Sequence, residues 1–363
     1  MEYKQEFAQA EERIQAFWAR DCIDRCALQV IARRAEPLPA TGAPLAPLAA
    51  DAGIVARKTD VNTVLWHAEE TFRTHHYLAE AVPIYVPGLV CSDTAAYLVD
   101  EITITADTVW YPHIIDDWTS AELTFDRSNR WWQLTLGMAE AASERAAGRY
   151  LVAVPDFQAG IDIVSLLRGP ERLCIDLFEN PDAVRTATRF VFDDVYRHCH
   201  AEIESIIRKH SKWTGDWMGL FSSGSHDVVQ CDFIALVSPR HFEEFCLPDI
   251  AWQCGWLDTA VFHLDGPGAV RHVDALLEIP ALDAIQWVPG AGSPSAVGWL
   301  PMLRKIQDAG KGIYISAPPE DVEAILAELS PAGLIISVEG VFDSLVDGQD
   351  FIRHIADVCA RRV

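Results

Sequence analysis

His263 and Asp265 stand one residue apart where an apolar run ends in a glycine turn, Thr-Ala-Val-Phe-His-Leu-Asp-Gly-Pro-Gly. The run Thr259–Phe262 reads as a buried strand. Side chains alternate faces along a strand, so His263 and Asp265 point to the same side. At the C-terminal end of a parallel-barrel strand, where such folds keep their chemistry, an imidazole and a carboxylate suit a divalent metal or an acid–base pair. The competing reading is a core histidine bonded to a neighbouring carboxylate, because structural pairs of this kind are common.

Other strand ends supply further groups. Asp156 follows Val-Ala-Val-Pro, and Gln286 and Trp287 close Asp-Ala-Ile-Gln-Trp ahead of Val-Pro-Gly-Ala-Gly. Asp232 lies just before the helix that Ser238-Pro239 opens. Asp156 and Asp232 are candidates for acid–base catalysis, and Gln286 and Trp287 for holding substrate. Capping or turn formation is the alternative for both aspartates. The segment Thr108–Trp118, Thr-Val-Trp-Tyr-Pro-His-Ile-Ile-Asp-Asp-Trp, crowds rings, a histidine and paired carboxylates into one stretch. As a loop over a barrel mouth it would pack its rings, Trp110 among them, on a sugar or other flat ligand, with Asp116 or Asp117 bonding hydroxyls and His113 also facing the substrate. A hydrophobic plug or a homodimer contact weighs equally.

These residues need elements to position them. Helical spacing runs from Glu6 to Arg20, then Cys26–Ala32 reads as a strand and residues 34–53 as a surface loop. A helix is expected over Val61–Ala79, a strand over Val82–Val86, a strand or hairpin over Glu101–Trp110, a helix over Arg127–Ala147 and a strand over Tyr150–Val154. Asn180-Pro181 opens a long helix to Lys209. Met218–Phe221 is strand-like, and Ser238-Pro239 caps a helix to about Leu257. In the last third, strands Ala260–His263, Ala284–Val288, Gly312–Ser316 and Leu334–Val338 alternate with helices. That repeat calls for a parallel sheet. About eight strands and no glycine-rich phosphate loop favour an α/β (β/α)8 TIM-type barrel with extra N-terminal helices and loops. Residues 1–363 would form one such unit, and an open doubly wound sheet is the alternative.

Composition narrows the partners. A net charge of −24 over 363 residues argues against nucleic acid and anionic membrane surfaces, which need clustered Lys and Arg. No apolar stretch approaches the ~20 residues of a spanning helix, and the start lacks the apolar core of a signal peptide. Nine scattered cysteines without a Cys-x-x-Cys pair fit a reducing cytoplasm. Twelve tryptophans are many for this length; some must line something other than plain core.

Three stretches carry a resemblance. They are Leu-Arg-Gly-Pro-Glu-Arg-Leu-Cys-Ile-Asp-Leu-Phe-Glu-Asn-Pro-Asp-Ala-Val (Leu167–Val184), Cys-Asp-Phe-Ile-Ala-Leu-Val-Ser-Pro-Arg-His-Phe-Glu-Glu-Phe-Cys-Leu-Pro (Cys231–Pro248), and the His263 strand end. Together they resemble the uroporphyrinogen decarboxylase-like superfamily. That resemblance implies a (β/α)8 barrel and an activity among decarboxylases and zinc-dependent methyltransferases acting on corrinoid proteins and thiols. The decarboxylase branch carries an Arg-rich Met-Arg-Gln-Ala-Gly-Arg signature that binds substrate carboxylates; here Arg25, Arg33 and Arg34 lack that context. True uroporphyrinogen decarboxylation is therefore not expected. The methyltransferase branch carries His-x-Cys on the His263 strand and a second Cys after the last strand. Asp265 replaces the first Cys here, and Glu339 stands near the second. The resemblance thus implies a metal held by His263, Asp265 and Glu339. Zinc is the first choice, and the harder carboxylates make Mn²⁺ or Fe²⁺ plausible.

The leading expectation is a metal-dependent methyltransferase with a metal-activated nucleophile, acting on a small molecule with a corrinoid reached through a partner protein or as substrate. The alternatives are a lyase, hydrolase or isomerase on a small polyhydroxylated or carboxylated substrate, and a non-catalytic ligand-binding barrel.

Overall fold

Apolar alternation at the end of the chain builds a sheet whose two faces have separate roles. The computed structural model describes residues 1–89 and 91–361. Its strands are β1 (Ala27–Arg33), β2 (His75–Ala79), β3 (Ile84–Tyr85), β4 (Thr103–Ile104), β5 (Val109–Trp110), β6 (Leu151–Val152), β7 (Thr214–Gly215), β8 (Phe221–Ser222), β9 (His226–Gln230), β10 (Thr259–Asp265), β11 (Ala284–Val288), β12 (Gly312–Ala317) and β13 (Leu334–Val338). Seven of them form one sheet in the order β2-β1-β13-β12-β11-β10-β9, parallel except for β2.

Along β10, Ala260, Phe262 and Leu264 face one way and pack with Ile285, Trp287, Ile313 and Ile315 beneath the helices, including Leu303, Ile306, Val322 and Ile325. Val261 faces the other way, with Ala284, Tyr314, Ile335 and Ala27, against Leu220, Phe221 and the first helix through Ile14 and Phe17. Each fully buried Leu, Ile or Phe stabilises the fold by about 1.5–3 kcal/mol, so the period-2 pattern sets which face carries polar groups.

The remaining strands pair locally. β3 and β6 are parallel, β4–β5 and β7–β8 are antiparallel hairpins, and Ala153 bridges Gly215 in parallel beyond β6. The ladder hydrogen bonds of the large sheet stop at β2 and β9. The architecture is accordingly α/β, with a central, mostly parallel sheet and many helices.

Three elements differ from expectation. The helix expected to reach Ala79 ends at Thr74, and His75–Ala79 becomes β2. The free edge of β1 would otherwise leave backbone groups unpaired, and β2 pairs with it from Gln29↔Ala79 to Arg33↔His75. Met218–Phe221 is mostly turn: Asp216 Oδ1 accepts the N–H groups of Met218 and Leu220, both at 2.9 Å, closing the β7–β8 hairpin. β9 was not anticipated. Its His226 and Asp227 break the apolar pattern, yet both are buried and satisfied. His226 Nε2 lies 3.0 Å from Asp216 Oδ2, and Tyr196 Oη donates to Asp227 Oδ2 at 2.9 Å.

Candidate metal centre

Parallel register aligns the polar groups before any loop is considered. His263 is paired with Gln230 on β9 and with Gln286 on β11, so these three side chains form one row across neighbouring strands. His263 Nδ1 lies 2.5 Å from Gln286 Oε1. An amide oxygen only accepts, so Nδ1 carries the proton and Nε2 keeps a lone pair for a cation. Two residues on, Asp265 ends the strand, and Gly266, at φ +72°, turns the chain away at once. A residue with a Cβ would be strained there.

Asp232 completes the group. It opens a short 3-10 turn, Asp232–Leu236, directly after β9. One ligand atom from each of Asp232, His263 and Asp265 lies within 4.8 Å of the others. Both carboxylates are exposed and His263 is half-buried. Among the described residues, neither carboxylate is paired with a Lys or Arg. Although Asp232 reaches solvent, desolvation by the surrounding chain raises its pKa; His263 opposes that shift and the charge of Asp265 adds to it. One nitrogen and two hard oxygens with mutual repulsion is a donor set that suits Zn²⁺, Mn²⁺ or Fe²⁺. The hydrogen bond from Nδ1 to Gln286 is the support a ligating imidazole ordinarily has.

Asp156 stands beside this cluster, past the end of β6. Burial pushes its carboxyl up to about 6, against the Gln230 hydrogen bond and the charge of His263; Asp232 raises it further. Gln230 Nε2 donates to Asp156 Oδ1. Gln158 Nε2 reaches Gln230 Oε1 at 3.4 Å, and Ser92 Oγ donates to Gln158 Oε1 at 2.6 Å. Ser92 and Gln158 both have positive φ, 54° and 51°. Such strain in non-glycine residues persists only where surrounding structure holds it, often at functional sites.

The other expected site residues are placed elsewhere. Glu339 is exposed after β13 and is not one of the three grouped donors. Trp287 faces away from His263, since it follows Gln286 on β11; its ring meets Trp299 at 4.8 Å beneath the helices. Trp110 is 65% exposed in the β4–β5 hairpin. His113 lies over Gly169, and Asp117 accepts from the N–H and hydroxyl of Thr119. In that loop it is Tyr111 that approaches the site: its hydroxyl donates to the Cys91 carbonyl at 2.7 Å and lies within electrostatic range of Asp156.

Trp217 also went unforeseen. It sits on the β7–β8 turn and meets the His263 ring edge-on at 5.4 Å. Gln230, Gln158 and Ser92 were missed because neutral polar residues carry no spacing signal. The strand-end position of Gln230, directly before Cys231-Asp232, was the one usable clue.

No family model and no curated protein matches the sequence. Among solved structures, a methyltransferase from Methanosarcina mazei is similar, with a TM-score of 0.57 at 10% identity over 96% of this chain and 98% of that one. At that identity the likeness is one of fold: this chain and that methyltransferase share an α/β architecture over nearly their whole lengths.

Proposed function

We propose that the protein is a metal-dependent methyltransferase of the uroporphyrinogen decarboxylase-like type, with Asp232, His263 and Asp265 as the metal donors. The observation that carries this reading is their convergence on one side of the β9–β10 strand ends. The shared fold with the Methanosarcina methyltransferase supports it, as do the motif resemblances. In the same reading, the six parallel strands of the large sheet, β1 and β9 to β13, together with β3 and β6 form the eight-stranded wall of one (β/α)8 barrel. The parallel β3–β6 pair and the Ala153–Gly215 bridge support that closure.

A divalent cation at this position would supply Lewis acidity that lowers the pKa of a substrate thiol or hydroxyl. The chain's own residues do the rest. Gln286 fixes the His263 tautomer, and Asp156, held by Gln230, takes the proton lost when the nucleophile ionises. The nucleophile then forms its bond to the methyl carbon as the bond from that carbon to the donor breaks, with a corrinoid as the donor. Nine free cysteines fit a reducing compartment. Among the described residues, no helix is long and apolar enough to cross a membrane.

Protein purified without added metal should contain about one equivalent of Zn, Mn or Fe, and H263A should lose it while keeping its fold. Incubation with methylcobalamin and simple thiols should demethylate the corrinoid, and D265A should abolish that turnover. Metal retention by H263A refutes the donor assignment. A second reading, acid–base chemistry on a polyhydroxylated substrate, is favoured by the Asp156–Gln230–Gln158–Ser92 chain. Turnover of a sugar or sugar acid, with no methyl transfer, would establish it instead.

A further inference from the structure

Asp232 and Asp265 each lead into a short turn, and the two turns pack against one another. Asp232 opens the 3-10 turn Asp232–Leu236, and Asp265 is followed at once by the one-turn helix Gly266–Ala269. β9 ends at Gln230, two residues before Asp232, whereas β10 runs through both His263 and Asp265. Sheet register therefore fixes His263 and Asp265 but not Asp232, whose place depends on how the turns meet. They meet at the third residue beyond each donor. A Cβ built on Gly268 would stand 3.2 Å from Ala235 Cβ and 3.5 Å from the Ala235 carbonyl oxygen. Carbon atoms in ordinary contact lie about 3.5–4.0 Å apart, so the turns sit closer than a methyl group would leave them. Gly268 is not among the glycines with positive φ, so a methyl there would disturb the approach rather than the backbone conformation.

Two side chains lock this contact. Arg271 Nε donates to the Gly268 carbonyl at 2.9 Å and its Nη2 to the Ala235 carbonyl at 2.6 Å, so one guanidinium ties both turns. His272 Nε2 lies 3.0 Å from the Ile234 carbonyl oxygen; a carbonyl only accepts, so Nε2 carries the proton. The His272 ring is buried and stacks on Phe242 at 4.2 Å. From the other side, Asp162 Oδ1 accepts the Phe233 N–H at 2.9 Å. None of these groups is one of the three donors.

We propose that this clamp sets how far Asp232 stands from Asp265, and thereby the size of cation the centre accepts. The role of Gly268, Arg271 and His272 as positioning residues rests on the reading of Asp232, His263 and Asp265 as metal donors. A methyl on Gly268 would push the Asp232 turn outward and open the centre. Zn²⁺ has a filled d shell and no geometric preference of its own, and Cd²⁺ shares both properties. Between these two ions the width of the centre is the variable that the clamp controls, and a wider one favours the larger Cd²⁺.

The test measures Zn²⁺ and Cd²⁺ affinities of the full-length protein by competition with a chromophoric chelator, alongside the urea midpoint of each variant. Gly268→Ala should move the affinity ratio toward Cd²⁺ by about tenfold, within the range that support around a metal site ordinarily contributes. Adding Ala235→Gly removes the opposing methyl and should restore the parent ratio, even where the double variant is less stable. A merely structural contact would move the urea midpoint and leave the ratio alone. If Gly268→Ala does not fold, Arg271→Met supplies the second variant. It keeps a long side chain at an exposed position but loses both bonds, and should move the ratio the same way by about threefold. Equal loss of both metals, an unchanged ratio, or a ratio that Ala235→Gly does not restore would each overturn the proposal. A parent protein that holds neither metal refutes the donor reading and the clamp with it. A parent that holds both, with a ratio that no variant moves, refutes the clamp alone.

Discussion

Gln286 meets His263 through the Nδ1 contact and so holds the orientation of the ring. Removing such a partner ordinarily costs about 10–100-fold in metal affinity. Gln286→Leu should therefore weaken the metal by about that factor, as measured by competition with a chelator, without lowering thermal stability much. An affinity equal to the parent would mean that the imidazole is oriented by packing against Trp217 instead. Asp232 makes the contrasting case. Because it stands in place of Glu339 in the proposed donor set, Asp232→Asn should deplete metal as strongly as His263→Ala. Glu339→Gln, at an exposed carboxylate outside the group, should leave metal content unchanged.

The strand β11 separates packing from function within two residues. Gln286 is on the polar row, whereas Trp287 is 1% exposed on the face beneath the helices. Trp287→Ala should cost about 3–5 kcal/mol of stability by leaving a cavity between sheet and helices. Metal content per folded molecule should not change; its loss in folded protein would return Trp287 to the site. The helix Gly160–Arg168 supplies a backbone counterpart. Gly160 has φ +54°, and an added Cβ would stand 1.8 Å from Asp249 Oδ2, the oxygen that accepts the Ile161 N–H. Gly160→Ala should therefore destabilise the fold by about 1–3 kcal/mol, visible as a lower urea midpoint.

Across the whole molecule, buried acids shape the response to pH. Burial raises Asp249 to about 7, Asp162 to about 7 and Asp227 to about 8. An acid whose folded pKa lies above its unfolded value favours the native state most below the unfolded value, and that stability is lost as pH rises through the folded pKa. His200 and His272, lowered by burial, act in the opposite sense, and their cost appears as pH falls through about 6.5. The urea midpoint should therefore be higher at pH 6.5 than at pH 8.5, helped by relief of the −24 net charge. Asp249→Asn should reduce that difference by somewhat under about 1 kcal/mol. An undiminished difference would assign the effect to net charge alone. If one core unites the chain, the transition should be a single cooperative one by both fluorescence and circular dichroism.

The regular last third was legible from residue types alone. Ala284–Val288 and Leu334–Val338 were expected with the bounds they have, because apolar runs between Gly, Pro and Asp turns leave a buried strand few alternatives. The same local rule put His263 and Asp265 on one side of a strand end, since period-2 alternation needs no knowledge of the partner strands. Long-range pairing decided everything else. β2 is a strand because the edge of β1 needs a partner, and β9 tolerates His226 and Asp227 because Asp216 and Tyr196 meet them from elsewhere in the chain. Asp232, Gln286 and Trp217 come to His263 from three other segments, and their nearness depends on register and turn geometry. Sequence order carries no such information. In the aromatic loop, too, packing decides the placement: Asp117 folds onto Thr119 while Trp110 faces solvent. Residue type and local period determined which groups could do chemistry. Only the packing of distant segments decided which of them meet, because the free energy that brings them together is released by burying surfaces that no local stretch of sequence contains.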